Sequence, residues 1–124
     1  MAAAAGTVMI KCKRIYEQPS ADDGQRVLVD RLWPRGISRE TARIDDWLKE
    51  VAPSDELRRW FGHDPERWDE FRHRYRLELA GKGDLLGQLL RDADRGVVTL
   101  LFAAKDEEHN NAVVLKELLE KQKG

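Results

Sequence analysis

The sequence predicts an α/β fold: a small, mainly parallel sheet of roughly three strands flanked by about five helices. Three observations predict it. Val27-Leu28-Val29 and Val97-Val98-Thr99-Leu100-Leu101-Phe102 are continuous apolar runs, as expected of strands covered on both faces. The stretch between them is patterned for helices. Two buried strands joined by a helical crossover run parallel, with a right-handed connection. The helical middle is large for so small a sheet, so α+β is the alternative.

The elements follow in order. Val8 to Ile15 alternates, with Val8, Ile10 and Cys12 on one face and Lys11 and Lys13 on the other, which predicts an edge strand. Residues Met1 to Thr7 hold four consecutive alanines, without the basic start or long apolar stretch of a signal peptide. They are expected to be a disordered leader, leaving 8–124 as one domain. A polar loop from Glu17 to Gly24 leads to a second strand, Arg26 to about Leu32. Pro34 cannot donate to a ladder and Gly36 permits a tight turn, so Trp33-Pro34-Arg35-Gly36 must end that strand.

Five helices are expected. In the first, Arg39 to Val51, Ile44, Trp47, Leu48 and Val51 share one face. Ser54 caps the second, Asp55 and Glu56 sit in its first turn, and Gly62 closes it. Asp64 caps the third, Pro65 takes its first position, and Trp68, Phe71, Tyr75 and Leu79 form its stripe. Asp84 caps a fourth that ends at Gly96. The third strand, Val97 to about Ala103, precedes a last helix from about Asn111 to Lys121.

The chain has 124 residues, 41% hydrophobic and 36% charged, with a net charge of −1. That length suits one domain. Nearly cancelling charges disfavour a general nucleic-acid binder. The arginines of the third helix (67, 72, 74 and 76) alternate with Glu66, Asp69, Glu70 and Glu78, which reads as pairing on an exposed face. No apolar run reaches the roughly 20 residues that span a bilayer, so no membrane partner is expected. One cysteine, Cys12, allows no intrachain disulfide, and a cytoplasmic location is the simplest.

Ligands of open parallel sheets bind beyond the carboxyl ends of the strands. The second strand delivers Asp30, Arg31, Trp33 and Arg35 to that edge. The third delivers Lys105 and Asp106, followed by His109, Asn110 and Asn111. Arg31 and Arg35, with Trp33, Lys105 and Asn110, are the expected binding residues for a small anion, because guanidinium forks suit phosphate and carboxylate. His63, Asp106 and His109 are the candidates for moving a proton. Each has a structural reading too: ion pairs for the arginines, a core or wall position for Trp33, helix caps for Asp106 and Asn110. Asp106-x-x-His109 with His63 is a weak metal pattern, so no metal is expected. GxGxxG, GxxxxGK[ST] and GxSxG are all absent from the sequence, and no cofactor is expected.

The run Arg26-Val27-Leu28-Val29-Asp30-Arg31-Leu32-Trp33-Pro34-Arg35-Gly36 resembles the opening signature of the YeaO-like family of bacterial proteins of unknown function. Trp47-Leu48-Lys49, Ala52-Pro53-Ser54, Trp60-Phe61, His63-Asp64-Pro65, Lys105-Asp106 and His109-Asn110-Asn111-Ala112 extend the resemblance in order and spacing, from about Met9 to Leu119. It implies a small cytoplasmic α/β domain and carries no catalytic residue across. Two functions from different classes therefore stand. One is a binder of a small anion, with or without catalysis. The other is an interaction or regulatory module that works through helix faces or a homodimer.

Overall fold

The computed structural model describes residues 9–123. The expected leader, Met1 to Thr7, and Val8, the expected start of the first strand, lie outside the described residues. The sheet has four strands rather than three: β1 (Ile10–Arg14), β2 (Gln25–Leu28), β3 (Asp46–Trp47) and β4 (Val98–Phe102), in the order β1-β4-β2-β3. Every pairing is parallel. Ile10 pairs with Val98, Gln25 with Val98, and Val27 with Asp46. All five residues of β4 are buried, as its apolar run requires of an interior strand, and β1 is the edge strand that its alternation predicts.

The side chains sort by strand period into two cores. Ile10, Val27, Leu100 and Phe102 point to the larger one, beneath α2 (Asp55–Phe61), α3 (Trp68–Leu79), α4 (Gly83–Arg95) and α5 (Asn111–Lys123). Leu28 and Leu101 point the other way, to a small core closed by Ala42 of α1 (Arg39–Ala42) and by Ile15. On that second face Arg26 is buried within β2. It donates to the carbonyls of Ala42 and Arg43 and pairs with Asp23, which also accepts from Lys13. Burial works against the Asp23 charge, but hydrogen bonds from the Ser20 N–H, Lys13 and Arg26 outweigh it and hold the carboxyl below its ordinary range.

The expected helix over 39–51 is the main correction. Only Arg39–Ala42 is α-helical, with a separate 3-10 turn at Lys49–Val51; Arg43, in the left-handed region at φ 50°, ends α1. The chain then turns into β3, where the Asp45 N–H donates to the Arg26 carbonyl and the Leu48 N–H to the Leu28 carbonyl. The helical spacing of Ile44, Trp47, Leu48 and Val51 has another cause. Ile44 and Trp47 pack on the small core, whereas Leu48 and Val51 pack on the large one. Four apolar residues thus serve two sides of a sheet rather than one side of a helix. β2 is also shorter than expected and ends at Leu28, although the Val29 N–H still donates to the Leu101 carbonyl.

The other helices follow their caps. The Ser54 hydroxyl accepts from the Leu57 N–H, and Gly62 closes α2 at φ 55°. Asp64 accepts from the Glu66 N–H, and Pro65 opens a short 3-10 turn into α3. Asn110 caps α5 by accepting from the Val113 N–H. Asp84 caps nothing: α4 starts at Gly83, and Lys82 precedes it without a side-chain bond. Cys12 donates its thiol to the Ala112 carbonyl, and burial pushes its pKa up to about 11. It is an inert packing residue. No helix among the described residues is long and apolar enough to cross a membrane.

Candidate functional site

β1, β4 and β2 are neighbours and parallel, so their carboxyl ends open on one side of the sheet. The segments that leave them meet there: Tyr16 after β1, 30–35 after β2 and 103–106 after β4. They line one cavity of about 670 Å³, within the usual range of small-molecule sites. Its opposite wall comes from Ala52 and Pro53 before α2, from Arg58, Phe61 and His63, and from Phe71 of α3. All eight sequence-predicted residues line this cavity, but their situations differ.

Arg31 is an architectural arginine. Its Nε donates to the Pro53 carbonyl and its second guanidinium nitrogen to the Ala52 carbonyl, each at 3.3 Å. It ties the strand exit to the segment before α2. Trp33 is a wall. Its ring N–H donates to the Ile37 carbonyl at 2.7 Å, its ring meets Trp47 edge-on at 5.3 Å, and Arg39 stacks over it. Arg35 differs from both: its carbonyl accepts from the Tyr16 hydroxyl, while its exposed guanidinium has no partner among the described residues. Lys105, across the mouth, is exposed and likewise unpartnered among the described residues.

Asp106 and His109 form a pair. Oδ1 of Asp106 accepts from the N–H groups of Glu108 and His109, and Oδ2 lies 2.9 Å from His109 Nδ1. The Glu108 N–H and the His109 ring hold the Asp106 carboxyl below its ordinary range. With Nδ1 taken, His109 has only Nε2 to offer a ligand. The Trp68 ring, edge-on at 5.1 Å, fixes the imidazole plane. Asn110 is spent on structure, donating to the Asp106 carbonyl and capping α5. His63 sits at the rim in the left-handed region at φ 59°, a conformation that costs energy in a residue with a Cβ. No group of three or more His, Cys, Asp or Glu side chains among the described residues is arranged to hold a metal ion.

The residue that sequence reasoning underweighted is Asp30. Its Oδ2 accepts from the Ala103 N–H at 2.9 Å, and its Oδ1 from the Asn111 side-chain amide at 3.2 Å. Asn111 also donates to the Val29 carbonyl. Burial raises the Asp30 pKa by more than these two donors, His63 and Arg58 lower it. A carboxyl directly after the apolar run Val27-Leu28-Val29 was the available signal. The alternative reading, in which Asp30 and Arg31 form ion pairs that tie the loop to a helix, left its bonds to Ala103 and Asn111 out of view.

The cavity thus has an apolar, aromatic floor at Phe61 and Phe71, one desolvated carboxyl, and four cationic side chains against two acidic ones. Arg58 is the fourth cation and pairs with exposed Asp55 at 3.3 Å.

Residues 9–123 match the DUF488-N3i family, described as the inactive DUF488-N3 subclade. The uncharacterized protein Rv3073c of Mycobacterium tuberculosis strain H37Rv is 46% identical over 110 residues, 89% of this chain and 92% of that protein. The uncharacterized protein YeaO of Escherichia coli K12 is 43% identical over 111 residues, 89% of this chain and 96% of that protein. No solved structure matches the chain.

Proposed function

The chain belongs to the DUF488-N3i family, and from that premise we propose that it binds a small phosphate- or carboxylate-bearing molecule at the carboxyl edge of its parallel sheet. The family's description as an inactive subclade favours binding without turnover. One observation carries the reading. Arg35 and Lys105 face one cavity with no ion-pair or hydrogen-bond partner among the described residues. Cations that serve only architecture are paired, as Arg31 is. Around α3 the arginines are paired: Arg74 with Glu70, Arg72 and Arg76 with Glu117, and Arg67 with Asp64. The paired arginines along α3 and the unpartnered Arg35 and Lys105 at the cavity favour a small anion over a nucleic-acid backbone spread along α3. The lone, inert thiol supports a reducing, cytoplasmic site of action.

The test is thermal denaturation with increasing inorganic phosphate at constant ionic strength. A ligand that binds only the folded chain stabilises it by about 2.7 kcal/mol at one hundred times its Kd. Wild-type protein should show saturable stabilisation, and an Arg35→Ala/Lys105→Ala variant should lose it. Identical titrations for the two proteins would refute the proposal.

A further inference from the structure

We infer that the molecule bound in this cavity is a guanosine 5′-monophosphate, with its base edge on Asp30 and its phosphate at Arg35 and Lys105. The inference rests on the anion reading above and adds a base to it. Asp30 is the polar group that a simple anion leaves unexplained, because a carboxylate on the floor of an anion site repels the ligand. It is also held in place: one oxygen accepts from the Ala103 N–H and the other from the Asn111 amide. A carboxylate offers about four lone-pair sites, so each oxygen keeps one. Two adjacent acceptors in a fixed plane match two adjacent N–H donors.

Guanine presents such a pair, N1–H beside the N2 amine. Adenine sets an acceptor nitrogen next to its amine, and a carboxylate there faces a lone pair. The rest of the cavity suits the rest of a nucleotide. Phe61 and Phe71 stack on one another with ring centres 4.3 Å apart and close the floor with apolar surface, which favours a flat heterocycle. Arg35 and Lys105 stand exposed at the rim, where a phosphate stays partly hydrated. A volume of about 670 Å³ is more than phosphate or acetate needs.

The test is calorimetric titration of the full chain with GMP, AMP, ribose 5-phosphate and a single-stranded RNA beginning with 5′-phosphoguanosine. The wild-type protein should bind GMP at least tenfold more tightly than AMP or ribose 5-phosphate, because sites built to hydrogen-bond a donor reject analogues that lack it. Asp30→Asn keeps an acceptor for the Ala103 N–H. It should weaken GMP at least tenfold and bind ribose 5-phosphate no less tightly than the wild type. If ribose 5-phosphate or AMP binds as tightly as GMP, the guanine reading is overturned while the anion reading stands. If none of the four binds, the guanine reading is overturned, and the inorganic-phosphate titration above decides the anion reading separately. RNA binding more tightly than GMP would overturn the free nucleotide as the ligand. The wild-type comparison decides the question even if Asp30→Asn does not fold.

Discussion

Arg31 and Arg35 lie four residues apart on one loop and line one cavity, yet the structure assigns them opposite consequences on truncation. Arg31→Ala removes two hydrogen bonds to the carbonyls of Pro53 and Ala52 and a 4.0 Å contact with Asp55. Hydrogen bonds from a charged donor contribute roughly 1.5–3 kcal/mol at best. Both bonds here are 3.3 Å, slightly beyond the usual N–H···O range, and the side chain is 31% exposed. Water replaces much of what is lost, so the net cost is about 1–2 kcal/mol, or roughly 4–10 °C in Tm for a chain of this size. Arg35→Ala removes an unpartnered, exposed side chain, and its effect on stability stays within about 0.5 kcal/mol. Its effect on phosphate binding is the larger one. Loss of a charge-assisted bond in a solvated mouth is worth about 1.4 kcal/mol, a tenfold weaker Kd. Urea denaturation and phosphate titration of both variants read the two quantities separately. An Arg35→Ala protein that unfolds early and binds normally would refute the assignment. So would an Arg31→Ala protein of wild-type stability.

Three further outcomes follow from the geometry. Gly24 has φ +61°, and a Cβ there would stand 2.3 Å from the Val97 carbonyl oxygen, the acceptor that starts the β2–β4 pairing; Gly36, at φ +79°, has open space around it. Gly36→Ala should cost only the left-handed penalty of about 1–2 kcal/mol, and Gly24→Ala clearly more in the same denaturation assay. Asp23 has a lowered pKa in the folded state, so its contribution is present above the ordinary carboxyl value of 3.8 and is lost as pH falls through the folded value. Asp23→Ala, which leaves Arg26 buried and unpaired, should cost roughly 3–5 kcal/mol at pH 7, and its penalty should shrink in acid melts. Asp30 has the opposite sign. Its folded pKa is raised, so the folded chain holds a proton that the unfolded chain releases, and stability falls as pH rises from 3.8 through the folded value. Asp30→Asn should flatten that decline, and an unaltered pH profile would argue against a desolvated carboxyl.

Much of this architecture was legible because it rests on local chemistry. The runs around Val27 and Val98 announced buried parallel strands, and Ser54, Asp64 and Gly62 marked helix ends by bonds they make within a few residues. The place of the cavity followed from the parallel pairing alone. What stayed hidden depends on partners distant in sequence. β3 is two residues long and exists because Arg26 and Leu28 offer carbonyls to Asp45 and Leu48. Arg26 is buried because α1 brings two carbonyls to it. Arg31 and Arg35 look alike in the sequence, and only the approach of Ala52 and Pro53 separates them.

The same geometry bears on the proposal of binding without turnover. Asp106 orients His109 as an acid orients a catalytic imidazole, with Nδ1 engaged and Nε2 left over. In hydroxyl or thiol catalysis such a pair activates a side-chain nucleophile. Among the described residues lining the cavity there is no Ser, Thr or Cys, and the Tyr16 hydroxyl is committed to the Arg35 carbonyl at 2.9 Å. The pair itself is self-satisfied: Asp106 accepts two backbone N–H groups besides the imidazole, which stabilises its charge and closes the loop that leads into α5. The dyad is therefore explained by the loop it builds, and what remains available to a ligand is one ring nitrogen of His109. A fixed hydrogen-bonding group, unpaired cations and a desolvated carboxyl are sufficient for recognition. A side-chain hydroxyl or thiol free to act as a nucleophile is absent among the described residues that line the cavity.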